Sequence, residues 1–147
     1  MTTPNELQAF INNQPVATLS TVGPDTTPYA AVVYVFFENE QIFFLTKRDT
    51  QKFRNITMNP TVAVTSFREN ELETLQVIGQ AYEVEDKDAK DAVKRQLARL
   101  HGPSKGVLPP IMQLEAGEYV VVGIDPVSSR VGRFVRKDDE QVFTDIA

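Results

Sequence analysis

The chain has no cysteine, which excludes disulfides, thiolate nucleophiles, iron–sulfur clusters and cysteine zinc sites before any motif is read. Its one histidine is His101, and a lone histidine at a helix end is ordinarily a cap or an exposed residue rather than a catalyst or ligand. Cations are outnumbered: 15 Lys plus Arg stand against 20 Asp plus Glu, a formal net charge of −5. The diffuse attraction to phosphate backbones that nucleic-acid binders need is therefore missing, although a local cationic pocket for one small anion remains compatible with this balance. No stretch approaches the ~20 apolar residues of a membrane span, and Met1-Thr2-Thr3-Pro4-Asn5-Glu6 has neither a cationic region nor a long apolar run. The expectation is a soluble, unexported, cytoplasmic protein with no nucleic-acid and no membrane partner. No Gly-x-Gly-x-x-Gly follows a strand, no Walker loop occurs, and the carboxylates form no ligand cluster with the histidine. Nucleotide hydrolysis and metal catalysis are disfavoured accordingly.

What is present is 147 residues with 41% hydrophobic and 24% charged side chains, the size and balance of one domain spanning 1–147 with its own core. Thr3-Pro4-Asn5-Glu6 reads as a capping box with proline at the first helical position, followed by Leu7, Phe10 and Ile11 at helical spacing. Val16 to Thr21 reads as a strand stopped by Gly23-Pro24-Asp25. From Pro28 to Phe37 the apolar run does not alternate with polar residues, so both of its faces call for cover from protein, ligand or a partner subunit. Glu38-Asn39-Glu40 makes a tight turn and Gln41 to Thr46 returns, giving an antiparallel meander rather than a Rossmann sheet.

Asp49 is placed to cap a helix through Met58 that Asn59-Pro60 ends. Thr61 to Phe67 reads as a strand, and Glu73 to Glu85 as a longer one with Gly79 at a bulge or close contact. Glu69, Glu71 and Glu73 alternate along the approach to it and are expected in solvent. A helix follows over about 87–100, with Ala89, Val93, Leu97 and Leu100 on one face. Ser104 to Leu114 is irregular, Tyr119 to Ile124 is a last core strand, and Phe134 and Val142-Phe143 are expected to add short edge pairings. The fold class is mainly β (α+β), an antiparallel split β-barrel with a few flanking helices. Its aromatics, Tyr29, Tyr34, Phe36, Phe37, Phe43 and Phe44, supply core or dimer surface.

Chemistry concentrates in Thr46-Lys47-Arg48-Asp49-Thr50-Gln51-Lys52, which sets three cations and two hydroxyls beside the unpaired amides of a helix start. Such a site suits a phosphate monoester. On local physics alone, an ordinary capped surface helix with solvated lysines explains the same cluster.

The surroundings add weight. Pro28-Tyr29, the apolar strand after it, Phe43-Phe44-Leu45-Thr46, Thr50-Gln51-Lys52, Asn55-Ile56, Asn59-Pro60-Thr61-Val62-Ala63-Val64 and Val77-Ile78-Gly79-Gln80-Ala81 occur in this order. In that ordered pattern, from about Pro15 to Glu85, the chain resembles the pyridoxamine 5′-phosphate oxidase-like FMN-binding split-barrel proteins. The resemblance implies an FMN cofactor and a homodimer with shared cofactor sites. Ala31, Val32, Val33, Tyr34, Leu45 and Thr46 would lie along the flavin, and Lys52 with Thr50, flanked by Lys47 and Gln51, would hold its phosphate. Thr74 or Gln76 would reach the flavin or ribityl chain.

The chain departs from that family at several positions. Ala31 and Phe36 stand where the true oxidases carry an arginine and a lysine, Gln51 replaces another arginine, and Ser129-Arg130-Val131-Gly132-Arg133-Phe134 only distantly echoes their substrate segment. These departures argue against vitamin B6 as the substrate. No acid–base dyad is needed in a flavin enzyme, because the isoalloxazine itself accepts hydride. The leading expectation is an FMN-dependent oxidoreductase of a small molecule, with NAD(P)H as a candidate donor. Three alternatives stay open: a non-catalytic FMN-binding module, a split barrel using F420 or haem, and a cofactor-free interaction protein.

Overall fold

A computed structural model describes residues 2–101, 118–137 and 140–145; the Ser104–Leu114 segment lies outside them. The chain runs α1 Pro4–Asn13, β1 Val16–Val22, a 3₁₀ turn Pro24–Thr26, β2 Pro28–Tyr34, β3 Phe36–Glu38, β4 Gln41–Lys47 and α2 Gln51–Met58. It continues through β5 Thr61–Arg68, β6 Glu73–Val84, α3 Lys87–His101, β7 Tyr119–Lys137 and β8 Glu140–Asp145. All pairings are antiparallel, in the order β2-β1-β5-β6-β7-β4-β3, with β8 on β7. The sheet curls into the expected split barrel.

Local chemistry accounts for the elements. Thr3 caps α1 reciprocally with Glu6, the Thr3 hydroxyl accepting from the Glu6 amide at 3.2 Å and the Thr3 amide donating to the Glu6 carboxylate at 3.0 Å. Leu7, Phe10 and Ile11 then turn inward. Asn39 and Glu40 both take left-handed backbone (φ 52 and 63°), the requirement of a two-residue hairpin whose twist matches its strands. Gly79 sits where the β6–β7 register shifts, and a Cβ there would lie 2.6 Å from Ile124 Cγ2 and 2.7 Å from the Asp125 carbonyl oxygen.

The core divides in two. Inside the barrel, Leu19, Phe44, Val64, Leu75, Val77 and Val122 pack with the inward faces of α1 and α2. Outside it, α3 lays Val93 and Leu97 on Phe36, Leu45, Val84 and Val121. Among the described residues, no helix is long and apolar enough to cross a membrane.

Four expectations need correction. The apolar run 28–37 is two strands: β2 pairs with β1, while β3 pairs with β4. The break at Val35 lets the chain cross from one side of the barrel opening to the other. The cap of α2 is Thr50, whose hydroxyl accepts from the Phe53 amide, and not Asp49. Glu73 is buried at 7% exposure, held by Arg68 at 3.0 Å and Arg133 at 3.4 Å; alternation with Glu69 and Glu71 does not reveal that two arginines converge on it. Finally, Tyr119–Ile124 is the beginning of a 19-residue strand that contains Phe134 and receives β8 along its far end.

Candidate functional site

The β4–α2 connection is built around two threonines. The Thr50 hydroxyl donates to the Lys47 carbonyl at 2.8 Å and lies 2.9 Å from the Thr46 hydroxyl. Since Thr50 has one proton and spends it on that carbonyl, Thr46, fully buried, is the donor between the two hydroxyls. This arrangement fixes the first turn of α2 against the barrel.

The three cations grouped in the sequence diverge from here. Lys47 places its ammonium over the Tyr119 ring, 5.9 Å from the centroid. Arg48 is exposed and tied to Glu83 at 2.7 Å and Glu118 at 3.1 Å. Its pKa is raised, first by the Glu83 hydrogen bond and then by that of Glu118. Lys52 alone lines the cleft beside β2. It is half-buried and makes no ion pair among the described residues, and burial lowers its pKa below the usual lysine value.

That cleft has a volume of about 140 Å³. Tyr29, Ala30 and Ala31 of β2 form one wall and Gln51 and Lys52 of α2 the other, over Leu19 and Thr21 of β1. Behind it runs a chain of side-chain hydrogen bonds. Asn55, 1% exposed, donates to the Thr21 hydroxyl at 2.9 Å and accepts from Gln51 Nε2 at 2.7 Å. Gln51 Oε1 accepts in turn from Arg54 at 3.0 Å, and Arg54 donates to the Asp49 carbonyl at 2.6 Å. A lysine and an oriented side-chain amide thus line one small recess beside the start of α2, a combination suited to an oxyanion.

The remaining candidate residues fall elsewhere. Leu45 is buried under α3. Val33 faces the barrel interior, and Tyr34 is half-buried at the end of β2. Val32 points outward at 69% exposure. The registers set Val32, Thr18, Thr65 and Gln76 in one row across β2, β1, β5 and β6, with Gln76 also outward. Thr74 lies on that same outer face, two residues along β6. The candidates therefore form two groups, Ala31, Gln51 and Lys52 in the cleft and Val32, Thr74 and Gln76 on the outer sheet. Among the described residues, β3 pairs only with 41–43 of β4, so the second edge of residues 44–47 has no strand hydrogen-bonded to it, although β2 lies near it.

The sequence singled out neither Thr21 nor Asn55 as a site residue, and it assigned Tyr29 to core or dimer surface. The signal for Asn55 was its position between Phe53 and Ile56 on the inward face of α2, where a polar side chain requires a partner.

The fold is an antiparallel split barrel whose strand-turn-helix corner carries a small cleft lined by Lys52 and Gln51. The sequence pattern of pyridoxamine 5′-phosphate oxidase matches residues 3–120, and the chain belongs to that family. Among solved structures it is similar to General Stress Protein 26 from Bacillus anthracis, at 26% identity and TM-score 0.66 over 95% of this chain and 96% of that one. It is also similar to an F420 reductase, at 28% identity and TM-score 0.62 over 82% and 93% of the two chains. A pyridoxamine 5′-phosphate oxidase-related, FMN-binding protein from Nostoc punctiforme shares the fold at 17% identity and TM-score 0.60, over 96% and 93%. No curated protein matches the chain.

Proposed function

We propose that this protein is an FMN-binding oxidoreductase that acts on a small molecule as a cytoplasmic homodimer. The observation that carries the reading is Lys52, a half-buried ammonium with no ion pair among the described residues, in a recess with an oriented amide. Burying a cation without a counter-charge is unfavourable, and a phosphate dianion offsets that cost. In this arrangement Lys52 and Gln51 bind the phosphate, with Thr50 and Thr46 holding the corner. Ala31 and its β2 neighbours, with the open edge of β4, lie along the ring. The bound flavin supplies the hydride-accepting ring, and the protein orients it and excludes water.

The dimer follows from size. Pockets enclosing a ligand of drug size run about 300–1,000 Å³, and the recess holds about 140 Å³. The single chain therefore covers a phosphate but not a whole flavin nucleotide. Its outer sheet meanwhile exposes Val32, Phe67 and Ile78 at 69, 47 and 45%. A second copy packed on this face would cover these three apolar side chains and bring Thr74 or Gln76 towards a cofactor shared between subunits.

The test is a visible spectrum of the purified protein before and after adding FMN and desalting. Retained flavin bands support the reading, and NAD(P)H oxidation then separates enzyme from carrier. A protein that stays colourless defeats it. The 28% identity to an F420 reductase favours a second reading, in which the same recess takes the phosphodiester of F420; retention of F420 but not FMN selects it.

A further inference from the structure

We propose that Asn55 is a positioning residue: through its hydrogen bond to Gln51 it aims the Gln51 amide into the cleft as a donor to a phosphate oxygen. The inference rests on the cleft being the phosphate site of the proposed flavin. Asn55 itself does not line the cleft; it stands behind Gln51, 1% exposed.

The accounting of donors and acceptors carries the argument. Gln51 Nε2 has two hydrogens, and one goes to Asn55 Oδ1 at 2.7 Å. Gln51 Oε1 is occupied by Arg54 at 3.0 Å. With both ends engaged the amide cannot flip, and its second Nε2 hydrogen is left for the cleft that Gln51 lines with Lys52. The other half of the Asn55 amide is engaged as well, because Nδ2 donates to Thr21 Oγ1 at 2.9 Å and Thr21 is 2% exposed. The Thr21 hydroxyl can serve either orientation, and what turns Oδ1 towards Gln51 is Gln51 itself: Arg54, which can only donate, holds Gln51 Oε1, so Nε2 faces Asn55 and requires an acceptor there. A Cβ at Gly23 would meet the Tyr29 ring first, at 2.4 Å, and would stand 3.2 Å from Asn55 Oδ1. An uncharged amide locked in this way replaces a flexible cation, and rigidity compensates for the lower charge by reducing the ordering lost on binding.

The consequence is selective: loss of Asn55 weakens binding of the phosphate-bearing flavin without touching recognition of the ring. FMN and riboflavin affinities are measured by flavin-fluorescence quenching for the wild type, Asn55→Leu, Gln51→Leu and the double variant. Asn55→Leu and Gln51→Leu each lower FMN affinity about tenfold, the value of one hydrogen bond to a charged group. Riboflavin affinity stays unchanged, and the double variant is no weaker than either single one. Equal losses for both flavins, or additive losses in the double variant, overturn the proposal.

Thr21→Val removes only the hydroxyl that anchors Asn55 and keeps the shape of the site, so it serves if Asn55→Leu does not fold. It gives an FMN-selective loss of about threefold, and an unselective loss counts against the relay. A second readout needs no flavin. The Gln51 side-chain amide resonances, inequivalent and slow to exchange in the wild type, move to free-glutamine values in Asn55→Leu or Thr21→Val. Inorganic phosphate shifts them only when the relay is intact. If wild-type protein binds neither flavin but phosphate moves these resonances, the flavin reading fails and the positioning role stands. If the resonances are already those of a free amide in the wild type, the positioning role fails.

Discussion

Glu73 Oε1 accepts from Arg68 Nη1 at 3.0 Å, and its other oxygen lies 3.4 Å from Arg133 Nη2. The carboxylate is 9% exposed and Arg68 18%, so the β5–β6 arm of this bridge is shielded from water while Arg133 on β7 is 50% exposed; Arg68 is also 5.8 Å from the Phe10 ring of α1. Removing Glu73 leaves Arg68 with only the more exposed Glu71 at 3.4 Å. Glu73→Ala is expected to cost about 3 kcal/mol in urea denaturation. Glu71→Ala, whose carboxylate is 49% exposed on the same arginine at 3.4 Å, is expected to cost less than about 1 kcal/mol. Equal effects from the two substitutions would contradict this ranking.

Gly79 meets the bulge of β7 with no room for a side chain. Gly79→Ala is expected to destabilise by about 1–3 kcal/mol, because its Cβ would meet backbone as well as the Ile124 side chain. Thermal melts check this, and an unchanged midpoint would mean that the bulge relaxes freely.

Lys52 sets a pH dependence. Burial lowers its folded pKa below the unfolded value, so between the two the unfolded chain binds more protons and stability rises with pH through that window. Anion binding runs the other way, since it needs the protonated form. FMN affinity is expected to fall as pH rises through the lowered pKa, before ordinary lysines titrate. In Lys52→Met that alkaline limb disappears and affinity at neutral pH drops at least about tenfold. Fluorescence titrations across pH decide it, and an identical limb in the variant would exclude Lys52 as its source.

Val32 is the most exposed apolar residue of the outer row. Val32→Asp is expected to shift the protein from dimer to monomer in analytical ultracentrifugation, because a charge is costly when buried in an interface without a partner. The fold should persist by circular dichroism. A wild type that sediments as a monomer would refute the interface.

Much of this protein was legible in its sequence where the information is local. The capping box at Thr3–Glu6 and the turn at Asn39-Glu40 need only short-range chemistry, and the structure has both. Gly79 as a bulge or close contact was readable for the same reason, and the structure has the close contact at Gly79 opposite an extra residue of β7; the apolar face of α3 was readable too. The order of family motifs from Pro28 to Ala81 was equally readable, and the family match over residues 3–120 agrees with it. In the candidate site, Gln51 and Lys52 were identifiable because they begin a helix after a strand.

Long-range partners were not legible. Spacing along the chain places Lys47, Arg48 and Lys52 together, yet the fold sends them to an aromatic ring, to two glutamates and to a cleft. Alternation places Glu73 in solvent, yet strands far apart in sequence bring two arginines to it. The sequence by itself determined the elements, the antiparallel class and the corner at which α2 begins, because caps, turns and apolar periodicity act over a few residues. Only the tertiary structure decided which of the grouped cations lines the cleft and which amide is locked beside it, because those outcomes depend on what the closing sheet brings within hydrogen-bond distance from 34 residues away, as with Asn55 and Thr21.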